Sequence, residues 1–365
     1  MAGQERNDRG PGLAPASSHL PEFDVMRGAA IVSVVYLHAY FSPWDVTPRR
    51  ELVAMHVIHL FAHTAVPVFF FISAFLLARD TTPTFGLFVR NKLRRIYVPL
   101  LFWMAAAFVY RLWDEGGAST ELWKSAALFN VSGQFYYLVV LTIFYGGFSF
   151  LRDWPAGRLW LLAAVAFDVN LATIAYYQSS SLHGDFATLA YRNPLAWVFF
   201  YSFGYAAGRA RGLPFWEGWP RWPALAGMAG VLAVYVVQGE RSDNYPVSYF
   251  GVSVFLFSCL TLVALPGSLV SLLRARPGRW MTAPFRWLSR YALPIYLVHM
   301  PFFIGYLTNR LVSDSSLNDD YFKLMNGLFV VGFTSSLAFV LVVERVAPRF
   351  AAEFMGLDPR RPGSR

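Results

Sequence analysis

Apolar stretches long enough to cross a bilayer core of about 30 Å recur along this chain. They lie at Phe23–Phe41, Met55–Ala78, Leu93–Tyr110, Phe135–Leu151, Leu159–Tyr177, Pro194–Gly208, Pro223–Val237, Val247–Leu265, Trp287–Thr308 and Leu324–Val346. In lipid, every backbone N–H and C=O must be satisfied within the protein, and segments of about 17 to 25 apolar residues do this as helices. The expected fold is therefore an all-α polytopic membrane protein, a bundle of about ten transmembrane helices. The sixth and seventh stretches are the shortest and are rich in Gly and Pro. Composition agrees with burial in lipid, with 56% hydrophobic and only 15% charged residues.

The basic residues give the orientation. With the N-terminus inside, most of the 31 Lys and Arg fall on inner segments, which places both termini in the cytoplasm. This asymmetry also accounts for the net charge of +9 without nucleic acid, since no basic domain stands outside the membrane segments. Residues 1–20 are polar and rich in Gly and Pro, and read as a disordered cytoplasmic tail; 21–347 form one transmembrane domain; 348–365 read as a second cytoplasmic tail. The single Cys259 lies in an apolar run, so neither a disulfide nor a Cys-ligated metal is expected. No phosphate-binding Gly-rich loop and no Gly-x-Ser-x-Gly elbow occurs.

Two residues are out of place in "FDVMRGAAIVSVVYLHAYF": Arg27 at its inner end and His38 deep inside. The eleven positions between them amount to three helical turns plus about 20°, a rise of about 16 Å, so both share one face. Asp24 is placed to pair with Arg27. An ionisable group near mid-bilayer is costly and tends to line a cavity or pathway. His299 in "SRYALPIYLVHMP" and Asp168 reach a similar depth, about 13 and 15 Å from the inner ends of their segments. A histidine with a carboxylate partner is the usual equipment of a general base, so His38, His299 and Asp168 form the candidate catalytic set.

His56, His59 and His63 fall on one face of the second stretch. That spacing can ligate zinc, but no acidic or Cys ligand accompanies it, so a polar lining of an outer vestibule is expected, with no metal. Arg90, Lys92, Arg94 and Arg95 crowd the inner start of the third stretch, beyond what orientation requires. Arg forks bind phosphate bidentately, so this cluster with Arg27 is the candidate site for a phosphorylated cytoplasmic ligand, beside the simpler readings of lipid headgroups and topology.

An Arg and a His in the first stretch, "VPVFFFISAFLL", a basic cluster before "RIYVP", "GQFYYLVVL", "FFYSFGYAAG" and "SRYALPIYLVH" follow one another in an order that resembles the acyltransferase 3 family of integral-membrane O-acyltransferases. "NKLRRIYVPLLFW" and "GQFYYL" are similar to its branch of intercellular-adhesin and exopolysaccharide modifiers. The resemblance implies a multi-pass protein of the bacterial inner membrane. It would transfer an acyl group, most often acetyl, from cytoplasmic acyl-CoA (acetyl-CoA as co-substrate, with no tightly bound cofactor) to a carbohydrate or glycolipid hydroxyl, alongside polysaccharide synthesis or export machinery. His38 and Arg27 take the family's essential first-span positions. The family's second-span Ser-Gly is Ser73-Ala74 here, and its paired Arg is spread over Arg90 to Arg95.

In that scheme His299 or Tyr296 assists the base or stabilises an oxyanion, and His63, Tyr136 and Tyr296 lie on the acceptor side. Trp44, Tyr136 and Tyr137 suit a sugar face, although an interfacial aromatic belt is the preferred reading of them. The rival reading is a transporter or flippase in which the buried His and Asp couple to protons.

Overall fold

The computed structural model describes residues 20–39, 49–80, 87, 90–91, 93–180, 184–210, 221–242, 249–311 and 321–357. The N-terminal tail up to residue 19, Trp44, Lys92 and residues 358–365 lie outside the described residues. Among the described residues every regular element is helical. In chain order these are α1 (Pro21–Ala39), α2 (Arg49–Ala62), α3 (Ala65–Ala78), α4 (Val98–Asp114), α5 (Thr120–Ala127), α6 (Tyr136–Ser149), α7 (Ala156–Ser179) and α8 (Gly184–Arg192). There follow α9 (Val198–Arg209), α10 (Arg221–Ser242), α11 (Val252–Arg274), α12 (Arg276–Ser289), α13 (Ala292–Val298), α14 (Gly305–Leu311), α15 (Tyr321–Val346) and α16 (Pro348–Phe354).

Among the described residues six helical segments are long and apolar enough to cross a membrane: Val53–Ala78, Arg94–Asp114, Ala156–Ser179, Arg221–Gly239, Val252–Arg274 and Lys323–Val346. A bent pair, Arg276–Ser289 with Ala292–Thr308 at 56°, would make a seventh. The other expected segments are shorter or more polar. The first is a 19-residue helix carrying Glu22, Asp24 and Arg27, the fourth has 14 residues and the sixth has 12. Val53–Ala78 is the central element, with 72% of its most apolar window buried, against 17% for Arg221–Gly239 at the rim.

Small residues allow the central helices to touch backbone to backbone. In "FGYAAG" a Cβ added at Gly204 would overlap the carbonyl of Phe71, and one at Gly208 would meet Phe75 and Ala78. This small-xxx-small spacing brings α9 and α3 together in the way lipid-embedded helices associate, where apolar area gives no net drive. Gly28, beside Arg27, does the same for α1 against the backbone of Phe285 on α12.

Prolines set the breaks. Pro67 cannot donate to the carbonyl of His63, four residues earlier, and its ring crowds that carbonyl, so the helix breaks at His63–Thr64. Thr64 closes the break with its Oγ1 donating to Phe61 O at 2.7 Å. Pro301 removes a donor in the same way after His299, and the chain there widens into a π-helical turn, His299–Ile304.

The segment after Val346, expected to be a tail, instead begins with a docked helix. Phe102 of α4 packs on Phe350 and Phe354 of α16 at 5.3 and 4.7 Å, and Trp103 Nε1 donates to Phe354 O at 2.7 Å.

Candidate functional site

His38 ends α1, and His299 begins the π-helical turn after α13; their ring centroids are 5.2 Å apart. Depth along the axis therefore becomes proximity in space for these two residues. His299 is fully buried, and its Nδ1 lies 3.0 Å from both Ile295 O and Tyr296 O. A carbonyl only accepts, so Nδ1 carries the proton and Nε2 keeps its lone pair. That Nε2 has no hydrogen-bond partner among the described residues.

His38 lines a cavity of about 460 Å³ bounded by residues of α1 to α3, the turn before α6, α8, α13 and Tyr249. His59, His63, Tyr136 and Tyr296 line it too. His63 sits at the Pro67 break, its Nδ1 2.7 Å from His59 O and its ring 4.6 Å from that of Tyr249. Tyr136 stacks on Trp197 at 5.6 Å and 28°, so the residue named for a sugar face is part of a tyrosine- and tryptophan-rich wall inside the bundle. His56 is fully buried and does not line this cavity. Among the described residues no group of three His, Cys, Asp or Glu is arranged to hold a metal ion.

Tyr296 lines the cavity, but its hydroxyl donates to the backbone carbonyl of Gln134. Its one O–H is committed there, so it braces the "GQFYYL" turn and does not present a free donor to an oxyanion. Asp168 does not join the histidines. It is exposed on the outward face of α7, whereas Asn170, two positions on, is buried, donating to Ala196 O at 2.8 Å and accepting from Phe199 N at 3.3 Å. Two residues turn a helix by about 200°, so only one of the two can face inward.

Arg27 pairs with Asp24 at 3.4 Å, and Asp24 also accepts from Ser289 Oγ at 3.2 Å. Arg27 is within electrostatic reach of Tyr137 and Tyr145 on α6. Tyr137 lies 3.3 Å, hydroxyl to hydroxyl, from Ser73, and its ring is 5.9 Å from that of Tyr296. Arg94 and Arg95 line a separate cavity just before α4, while Arg90 is exposed and does not. α6 links the two regions, because Tyr97, just past the arginines, donates to Thr142 at 2.6 Å.

Sequence reasoning missed the wall that α8 contributes. Arg192 ends α8 and lines the cavity, where its guanidinium donates to Leu128 O at 2.9 Å, Thr188 O at 2.7 Å, Phe129 O at 3.2 Å and Asn130 Oδ1 at 3.0 Å. Burial pulls this guanidinium below its ordinary pKa, opposed by nearby Tyr136 and Tyr296. Phe129 adopts φ 56°, an uncommon value outside glycine, and Arg192 holds the carbonyl of that turn. The only sequence signal was the position of Arg192 just before Asn-Pro at a segment boundary.

A family model described as an acyltransferase domain, that of acyltransferase 3, matches residues 20–345. No curated protein and no solved structure matches the chain.

Proposed function

This chain belongs to the acyltransferase 3 family, a membrane acyltransferase, and from that premise we propose that it moves an acyl group, acetyl in the simplest case, from cytoplasmic acyl-CoA to a carbohydrate hydroxyl. The observation that carries the reading is the His38–His299 pair at a tyrosine-rich cavity. In this reading ten segments cross the bacterial inner membrane with both termini in the cytoplasm, and the exopolysaccharide-modifying branch is the nearest fit.

His38 takes the proton from the acceptor hydroxyl as its oxygen attacks the thioester carbonyl. The C–S bond breaks, and the departing thiolate receives that proton from His38. His299, its Nδ1 fixed by two carbonyls, keeps Nε2 available to accept from the His38 ring as the proton arrives there, the part a carboxylate plays in other bases. A positioned base of this kind is worth about 10²- to 10⁴-fold. Tyr136 and Tyr249 give the sugar ring apolar faces with hydroxyls at their edges. Arg27 and the arginines of the third segment hold the donor on the inner side.

The test is transfer itself. Purified protein given labelled acetyl-CoA and a polysaccharide acceptor should release free CoA and yield an alkali-labile O-ester. Translocation of a glycolipid without thioester consumption would favour the transporter reading instead.

A further inference from the structure

We propose that α16 completes an anion site at the inner face, in which Arg349 joins Arg94 and Arg95 to hold the bisphosphate end of a nucleotide donor. The inference rests on the acyl-CoA reading for the identity of the ligand, but the site itself rests on geometry. Arg94 and Arg95 come from the π-helical turn that opens the third segment, and Arg349 comes from the far end of the chain, beyond the residues matched by the family model. The three line one cavity of about 590 Å³ with Asn91, Glu353 and Gly356.

α16 is held in place by its apolar face. Ala351, Met355 and Leu357 are buried, and Phe350 and Phe354 pack on Phe102, which leaves Arg349 and Glu353 exposed on the opposite face. Gly356 then turns the chain back at φ 68°, a value that glycine adopts without cost. A Cβ there would stand 3.1 Å from Arg95 O, so the chain leaving α16 lies directly against the basic turn. Three guanidiniums from two elements thus surround one space, an arrangement that topology alone does not call for.

The charge balance fits a nucleotide. Three arginines less Glu353 leave a net +2 around the cavity, which suits a phosphomonoester near its doubly charged form. Guanidinium forks meet phosphate oxygens in pairs, and three of them at one mouth can engage more than one phosphate. An anionic lipid headgroup shares this chemistry, so the experiment must separate the two sources.

The probe is adenosine 3′,5′-bisphosphate, which carries neither an acyl group nor a pantetheine arm. Binding to the full chain is measured calorimetrically in nanodiscs of neutral lipid, then with phosphatidylglycerol added. Arg349→Gln should weaken binding about 10- to 100-fold, the effect of losing one charged hydrogen-bonding partner. Arg349→Lys should fall between that and the native protein, and Arg158→Gln, on another inner segment, should leave binding unchanged. Equal affinity in native protein and Arg349→Gln, with both folded by thermal melt, overturns the proposal. Displacement of the nucleotide by stoichiometric phosphatidylglycerol assigns the cavity to lipid and overturns it as well. The outcomes also part from the transfer reading. Nucleotide bound through Arg349 with no acyl transfer sinks the proposed function and leaves the site, while transfer with an unchanged KM for acyl-CoA in Arg349→Gln does the reverse.

Discussion

The ring of His38, on the last turn of α1, stands 5.2 Å from the ring of His299, whose Nδ1 is already held by the carbonyls of Ile295 and Tyr296. One member of the pair is fixed in tautomer by its backbone. The other faces the cavity.

His38→Gln should lower acyl transfer by about 10²- to 10⁴-fold, because glutamine keeps hydrogen-bonding capacity but cannot take a proton. His299→Gln acts only through His38, so it should cost less in kcat and alter the pH profile of the remaining activity. Rates with labelled acetyl-CoA and matched protein decide this, and near-native transfer by a folded His38→Gln protein would move the base to His299.

Tyr296→Phe separates a brace from an oxyanion donor. Removing the hydroxyl that donates to Gln134 O should cost about 0.5 to 1.5 kcal/mol of stability, with transfer retained within a few-fold. A loss of transfer beyond about a hundredfold at unchanged stability would show that the hydroxyl leaves Gln134 to serve the reaction.

Asp168→Asn should leave transfer within about threefold of native, since an outward-facing side chain on α7 touches neither histidine. Loss of activity on the scale of His38→Gln would restore Asp168 to the catalytic set.

Gly204→Ala should destabilise the protein by about 1 to 3 kcal/mol or prevent its folding, because the new methyl group meets backbone atoms of Phe71 that cannot move aside. Gly146→Ala is the control, with nothing within 4 Å of the added carbon. Thermal unfolding in detergent reads both, and equal melting temperatures would refute the close approach.

Cysteine labelling tests the topology. In a Cys259→Ala background, Glu115→Cys should react with an impermeant maleimide added outside, and Asp153→Cys only after permeabilisation. The opposite pattern at either position would overturn the ten-span arrangement.

What the sequence revealed was depth, and what it hid was direction around each axis. Counting residues from an inner arginine brought His38 and His299 to one level, and the fold joins them. The same count brought Asp168 to that level too, but depth carries no azimuth, and Asn170 took the inward position. Hydropathy found the long central segments, while the 12- and 14-residue helices it also counted as spans reach that length only with the apolar turns that flank them. The wall with Arg192 and Tyr249 left almost no trace in the sequence. It is assembled from a short amphipathic helix and a segment end whose only shared property is that they meet.

The contact of α3 with α9 at Gly204 has a consequence for substrate range. α3 supplies Val66 and Phe69 to the cavity, and it cannot retreat, since its backbone already rests on that of its neighbour. The chamber thus has one immovable jamb and one replaceable panel. Accommodating a bulkier acceptor has to be achieved away from α3, on α8 and at Tyr249, so those positions are where an engineer or an evolving lineage would alter the choice of acceptor.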